Sequence, residues 1–128
     1  MMNVVDSSGW LEYFSDGKNS NFFAPVLEDT EHLLIPVICL FEVFKRLTLL
    51  QDVSTAHTHV GDMLAGQMVE IDASLALSAA QISLSLKLAM ADSLILATAR
   101  AYQATLWTQD EHFKGIEGVQ YIDARPAL

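Results

Sequence analysis

Met1-Met2-Asn3-Val4-Val5-Asp6-Ser7-Ser8-Gly9-Trp10-Leu11-Glu12-Tyr13-Phe14 opens the chain with an apolar run, then an acid, then large residues at helical intervals. Met1–Val5 reads as a strand that stops at Asp6. Ser8 to Phe14 reads as a helix, because Trp10, Leu11, Tyr13 and Phe14 recur at helical spacing behind Asp and Ser residues suited to N-capping. The alternation continues downstream. His32–Ile35 reads as a second strand, and Pro36 suits the first turn of a helix from about Val37 to Gln51. Met68–Ile71, Ala104–Trp107 and Val119–Ile122 supply further strands. Between them lie helical stretches at Phe22–Asp29, kept short by Pro25, and at Ser54–Leu64, closed near Gly66. Leu75–Leu88 follows, capped by Asp72 or Ser74, and then Asp92–Gln103 with almost no linker. Asp16–Asn21 is a loop by composition, and Asp110–Lys114 a helical turn. Strands alternating with helices predict an α/β fold with a central parallel sheet of about four or five strands flanked by helices.

The 128 residues fit one domain, 1–128, and 52% hydrophobic content is enough for a self-sufficient core. Cys39 is the one cysteine, so no intrachain disulfide forms; its place in the apolar run Leu33–Phe41 favours a buried hydrophobe over a reactive thiol. That run is the longest apolar stretch, contains Pro36, and is about half of the roughly 18 residues that a membrane span needs. The first hydrophobic stretch breaks at Asp6, against a signal peptide. A soluble, cytoplasmic protein with no membrane partner is expected. Net charge is −9, with only seven Lys and Arg. Passive nucleic-acid binders neutralise phosphates with basic side chains, so the charge alone counts against such a partner. It ceases to do so if several acids converge on metal ions.

In open parallel sheets, sites form beyond the carboxyl ends of the strands. Asp6 stands there after the first strand, and Asp110 after Ala104–Trp107. For either alone, N-capping of the following helix is the simpler reading. Asp92 opens a helix whose stripe continues through Leu96 and Ala99, a face that should be buried, while Ser93, Arg100 and Gln103 mark the wetter side. A buried acid needs a partner or a metal, although an acid near a helix N-terminus is also favoured by the macrodipole. Glu42, taken alone, reads as an ordinary pair with Lys45 or Arg46. The four together read differently. Carboxylates crowded at one sheet edge repel and raise each other's pKa values, and Mg²⁺ or Mn²⁺ relieves this. Carboxylates plus such a metal, without Cys or His ligands, suit phosphodiester hydrolysis.

The segments that carry these acids resemble one family. Val4-Val5-Asp6-Ser7-Ser8-Gly9-Trp10-Leu11-Glu12-Tyr13-Phe14 resembles the opening of VapC-type PIN domains, and Glu42 in its apolar helix their second acidic motif. Ala91-Asp92-Ser93-Leu94-Ile95-Leu96-Ala97-Thr98-Ala99 resembles the third. Leu106-Trp107-Thr108-Gln109-Asp110-Glu111-His112-Phe113, with Gly118-Val119-Gln120-Tyr121-Ile122 behind it, resembles the closing segment. The resemblance covers nearly the whole chain, in order. It implies a PIN fold and a Mg²⁺- or Mn²⁺-dependent endoribonuclease acting as the toxin of a toxin–antitoxin pair. It also implies an RNA substrate, a homodimer, and an antitoxin with a basic inhibitory segment. Carried over by position, Asp6, Glu42, Asp92 and Asp110 form the catalytic acids and metal ligands, and Thr108 a hydroxyl that assists at the metal or phosphate.

Other features carry less. His57 and His59 diverge on a helix and read as a solvent-exposed pair rather than a zinc site. His112 beside Asp110 is a candidate RNA contact, but reads more simply as a surface residue of a short turn. Phe22, Phe23, Phe41 and Phe44 read as core or subunit-interface packing, and Lys18, Lys45, Arg46 and Lys87 as the basic residues to test for phosphate contact. Two other functions compete with the nuclease. One is a PIN scaffold that only binds, with its acids idle. The other is a phosphoacceptor signalling domain with Asp72 as acceptor, which would want a lysine after Ala104–Trp107 where Thr108-Gln109-Asp110 stands.

Overall fold

The computed structural model describes residues 1–125. Its strands are β1 (Asn3–Val5), β2 (Leu33–Pro36), β3 (Gln67–Val69), β4 (Thr105–Thr108) and β5 (Val119–Tyr121). Its helices are α1 (Ser7–Phe14), α2 (Ser20–Glu28), α3 (Val37–Leu50), α4 (Val53–Met63), α5 (Ala73–Leu86) and α6 (Met90–Ala101), with short 3₁₀ turns at Thr30–His32 and Glu111–Phe113. The strands form one sheet in the order β3-β2-β1-β4-β5, and every pairing is parallel. The expected α/β architecture is therefore present, with the upper of the two expected strand counts.

Consecutive buried residues explain the layering. Val4 and Val5 point to opposite faces of the sheet, yet both are fully buried, as are Leu33, Leu34 and Ile35. Helices must therefore cover both faces, which is the usual condition of a parallel sheet. Phe23, Cys39, Val43, Met63, Ile95, Leu106 and Phe113 complete the core between sheet and helices. Burial pushes the Cys39 thiol up, so it acts as the inert hydrophobe that its setting predicts. Among the described residues no single helix is long and apolar enough to cross a membrane; α5 and α6 pass only as a pair bent by 115°.

Two local readings need correction, at Pro36 and at Ser93. Pro36 does not start α3 but ends β2, with extended φ −60° and ψ 131°, and serves as the cap residue. Its missing N–H costs nothing to the β1 pairing, which ends at Leu34. Pro25 lies inside α2, which is short as expected, and the carbonyl it leaves without a donor belongs to exposed Asn21 in the first turn. Ser93 is not on a wet side of α6: it is 1% exposed, and its hydroxyl is satisfied by donating to the carbonyls of Leu88 and Ala89. With Ser93 through Ala99 all buried, α6 is an internal helix rather than an amphipathic surface one.

The connectivity leads to the site. From β1 the chain moves outward through β2 to β3, then returns to the other side of β1 with β4 and β5. The reversal leaves a crevice beyond the carboxyl ends of β1 and β4, the topological switch point where α/β sheets place their ligands. Asp6 follows the last residue of β1, and Thr108 is the last residue of β4.

Candidate active site

Asp6 is buried, with 3% exposure, and it caps α1: Oδ1 accepts the Gly9 N–H at 3.1 Å. The capping role expected for this residue is real, but it is only part of the bonding. The Ser8 hydroxyl reaches Oδ1 at 2.8 Å and Oδ2 at 3.0 Å, and the Thr108 hydroxyl donates to Oδ2 at 2.8 Å. Gly9 lets α1 lie this close to the strand end, since an added Cβ would sit 2.4 Å from Val5 Cγ1 and 2.7 Å from Phe23 Cε1. Burial pushes the Asp6 carboxyl up to about 7; the bonds from Thr108, Ser8 and Gly9 oppose this, and the Asp110 charge adds to it.

Thr108 is fully buried, and its oxygen also accepts the Asp110 N–H at 2.9 Å. One hydroxyl therefore ties Asp6 to Asp110. Asp110 caps the short turn Glu111–Phe113 by accepting the His112 N–H at 2.9 Å. Asp92 enters from the first turn of α6, which starts at Met90 rather than at Asp92 itself. Its side chain is 17% exposed, and burial followed by the Asp110 charge raises its pKa, with His112 opposing.

His112 joins the two acids. Its Nδ1 lies 3.3 Å from Asp92 Oδ2 and 3.4 Å from Asp110 Oδ1, and one donor atom from each of the three residues falls within 4.8 Å of the others. The Asp110 and Asp92 charges raise the imidazole pKa. Asp6 stands outside that triple and reaches it through Thr108. Glu42 arrives by another route: its Oε1 accepts the Ser7 hydroxyl at 2.6 Å, next in sequence to Asp6. The expected helix-surface pairing of Glu42 with Lys45 or Arg46 is absent among the described residues, and Lys45 instead lies over the Phe41 ring.

Reasoning from sequence missed the serines; His112 is the exposed residue of a short turn that it expected, but the approach of its ring to Asp92 was not foreseen. For His112 a signal was present: it stands two residues after Asp110, the spacing at which an Asp side chain accepts a backbone N–H in a turn. A bracket behind the site was also missed, in which Asn19 donates to Gln109 at 3.0 Å and Glu12 Oε2 accepts the Asn19 N–H at 2.8 Å. Of the basic residues singled out, Lys45 and Arg46 line one surface pocket with Glu42 without forming an ion pair with it, and the other two lie elsewhere. Lys18 bonds the Arg125 carbonyl, Lys87 ends α5 at φ 57°, and Arg46 is exposed on α3. His57 and His59 face different aromatic rings, Phe44 and Phe14, so they share no ion; His59 is partly buried rather than exposed, because its ring stacks 4.2 Å from that of Phe14.

Solved structures share this fold. A toxin–antitoxin complex from Klebsiella pneumoniae matches with a TM-score of 0.76 at 21% identity, over 92% of this chain and 95% of that one. VapBC2 from Rickettsia felis, bound to a DNA fragment from its promoter, matches at 0.74 and 16%, over 96% and 98%. Mycobacterium tuberculosis VapC20, a sarcin-ricin loop cleaving toxin, matches at 0.71 and 16%, over 96% and 98%. No curated protein sequence matches the chain. A family match reaches further than these low identities: the PIN domain model covers residues 4–119, from β1 into β5, and the chain belongs to the PIN domain family.

Proposed function

We propose that this chain is a metal-dependent endoribonuclease of the VapC type, the toxin of a toxin–antitoxin pair. It hydrolyses RNA phosphodiester bonds with Mg²⁺ or Mn²⁺ held by Asp6, Glu42, Asp92 and Asp110. The observation that carries this reading is the continuous linkage at the switch point, from Asp6 through Thr108 to Asp110 and through His112 to Asp92. Among the described residues, no lysine or arginine pairs with any of the four acids. Asp6 and Asp92 are instead held at raised pKa by burial and by the Asp110 charge. An oxygen-rich donor set under that stress fits a hard divalent cation.

When bound, such an ion supplies an acidified water and offsets charge on the attacked phosphate. The protein's part is positioning. Thr108 fixes Asp6 Oδ2 relative to the Asp110 backbone, and Ser8 with the Gly9 N–H fixes Oδ1. Ser7 sets the direction of the Glu42 carboxylate. Burial of Asp6 and Thr108 keeps the floor dry, while Asp110 and His112, with side chains 30% and 65% exposed, form a rim that RNA can reach.

By the same reading, the protein works as a homodimer, and its antitoxin silences it by placing a basic segment on the acids. The charge of −9 favours such a partner. The phosphoacceptor alternative loses its support: Asp72 is exposed beyond the edge strand β3, where it caps α5, and Thr108-Gln109-Asp110 stands where that class wants a lysine. The idle binding module shares every contact described above. Incubating the purified chain with RNA in Mg²⁺, Mn²⁺ or EDTA separates it from the nuclease: cleavage in either metal that stops in EDTA supports the enzyme, and its absence in both supports the module.

A further inference from the structure

We propose that His112 is itself a ligand, through Nδ1, of the divalent ion held by Asp92 and Asp110, and that it tilts this centre towards Mn²⁺ over Mg²⁺. The proposal rests on the nuclease reading for the place of the ion, and extends it to a residue outside the four acids.

The geometry comes first. Nδ1 lies 3.3 Å from Asp92 Oδ2 and 3.4 Å from Asp110 Oδ1. Adjacent ligands of an octahedral ion with bonds of about 2.1 Å stand about 3 Å apart. The spacing from the imidazole to each carboxylate is thus within a few tenths of an ångström of that between neighbouring ligands of one ion. Its position is built in. The Asp110 carboxylate accepts the His112 N–H at 2.9 Å, and fully buried Phe113 anchors the next residue of the same turn. The ring is therefore tethered to one ligand while facing the other, although its side chain is 65% exposed. An exposed surface histidine has no packing reason to point inward between two acids.

The donor type then decides the metal. Carboxylate and water oxygens serve Mg²⁺ and Mn²⁺ alike, but an imidazole nitrogen suits first-row transition ions and is a poor ligand for Mg²⁺. Replacing one oxygen position by nitrogen should separate the two affinities. The competing account gives His112 only the role of a counter-cation to Asp92 and Asp110, displaced when any metal arrives.

The two accounts differ in a measurement made without RNA. Mn²⁺ and Mg²⁺ binding to the full chain and to His112→Gln would be followed by calorimetry, and Mn²⁺ bound to the unaltered chain by pulsed electron paramagnetic resonance. The proposal expects a directly coordinated nitrogen in the resonance spectrum. It also expects His112→Gln to lose about tenfold or more in Mn²⁺ affinity while Mg²⁺ affinity is nearly unchanged. Bound Mn²⁺ without nitrogen coupling overturns it, as does an equal change for both ions, and either result leaves the nuclease reading standing. Failure to bind any divalent ion overturns both.

Discussion

The Thr108 hydroxyl donates to Asp6 Oδ2 across 2.8 Å, joining residues 102 positions apart at the ends of adjacent strands β4 and β1. Because the same oxygen accepts the Asp110 N–H, removing it leaves Asp6 Oδ2 with only the longer Ser8 bond and the Asp110 N–H without its partner. Thr108→Val keeps the shape and deletes the oxygen. It should destabilise the fold by about 1–3 kcal/mol in urea unfolding and lower RNA cleavage by about 10- to 100-fold. Thr108→Ser, which keeps the hydroxyl, should restore most of the cleavage. Equal loss in both variants would show that the hydroxyl is not the working group.

Asp92→Asn separates a metal ligand from a helix-terminal charge. The amide is nearly isosteric, and Asp92 is not the cap of α6, which is Ala89. Loss of one negative ligand should reduce cleavage by orders of magnitude. Stability in EDTA should hold or rise, because repulsion from Asp110 is relieved. If the charge served only the helix macrodipole, the variant would cleave normally and lose a few tenths of a kcal/mol, about what an exposed charge contributes there. Single-turnover cleavage together with urea unfolding reads both quantities.

Asp6 ties stability to pH. Its carboxyl titrates near 3.8 in the unfolded chain and is pushed up to about 7 in the folded one. Between those values the folded state binds more protons, so stability is fully present below about pH 4 and is lost as pH rises towards 7. Asp92, raised by burial and by Asp110, acts in the same direction. Urea midpoints of the metal-free protein should therefore fall between pH 5 and pH 7. Asp6→Asn, which keeps an N-cap, should flatten that slope. Added Mn²⁺ should raise the midpoint more at pH 7 than at pH 5, and a wild-type midpoint that rises over this range would refute the linkage.

The alternation of strands and helices and the positions of Asp6, Asp92 and Asp110 within it were legible because period-2 and period-3.6 patterns and strand-end acids are local signals, whereas the strand order was not read from the sequence. What stayed hidden was relational. Nothing around Ser93 reports that α6 is enclosed on all sides, since a serine satisfied by its own helix looks like a surface serine. Glu42 sits near Lys45 and Arg46 in sequence, but its partner is Ser7, which only the packing of α1 against α3 supplies. His112 is exposed on its short turn as read, and its approach to Asp92, twenty residues away in sequence, is again supplied only by packing.

Apolar surface predicts assembly. Helix α5 carries no charged residue, and Leu77 and Leu84, two helical turns apart, are 70% and 83% exposed; Met90 beyond it is 73% exposed. With a mean hydropathy of +0.30, a symmetric homodimer is expected, the commonest closed arrangement. Light scattering at micromolar concentration should give twice the 14.1 kDa chain mass. A single-chain mass would leave these leucines without a role in self-association.

The chemistry of the products tests the nuclease most directly. If water activated at the acidic centre attacks phosphorus, the ribose 2′-hydroxyl is not required as nucleophile. The released fragment should then carry a 5′-phosphate, and the upstream fragment a 3′-hydroxyl. A histidine-driven mechanism of the transesterifying kind would instead leave a 2′,3′-cyclic phosphate, and His112 is the one histidine at this site, with its Nδ1 facing Asp92 and Asp110. Mass spectrometry of the products, with a substrate carrying a single 2′-deoxy substitution at the cut position, distinguishes the two. Continued cleavage of the deoxy substrate with 5′-phosphate ends is the expected outcome. Cyclic ends, or complete protection by the deoxy substitution, would move the reaction away from the acids and refute the assignment of Asp6, Glu42, Asp92 and Asp110.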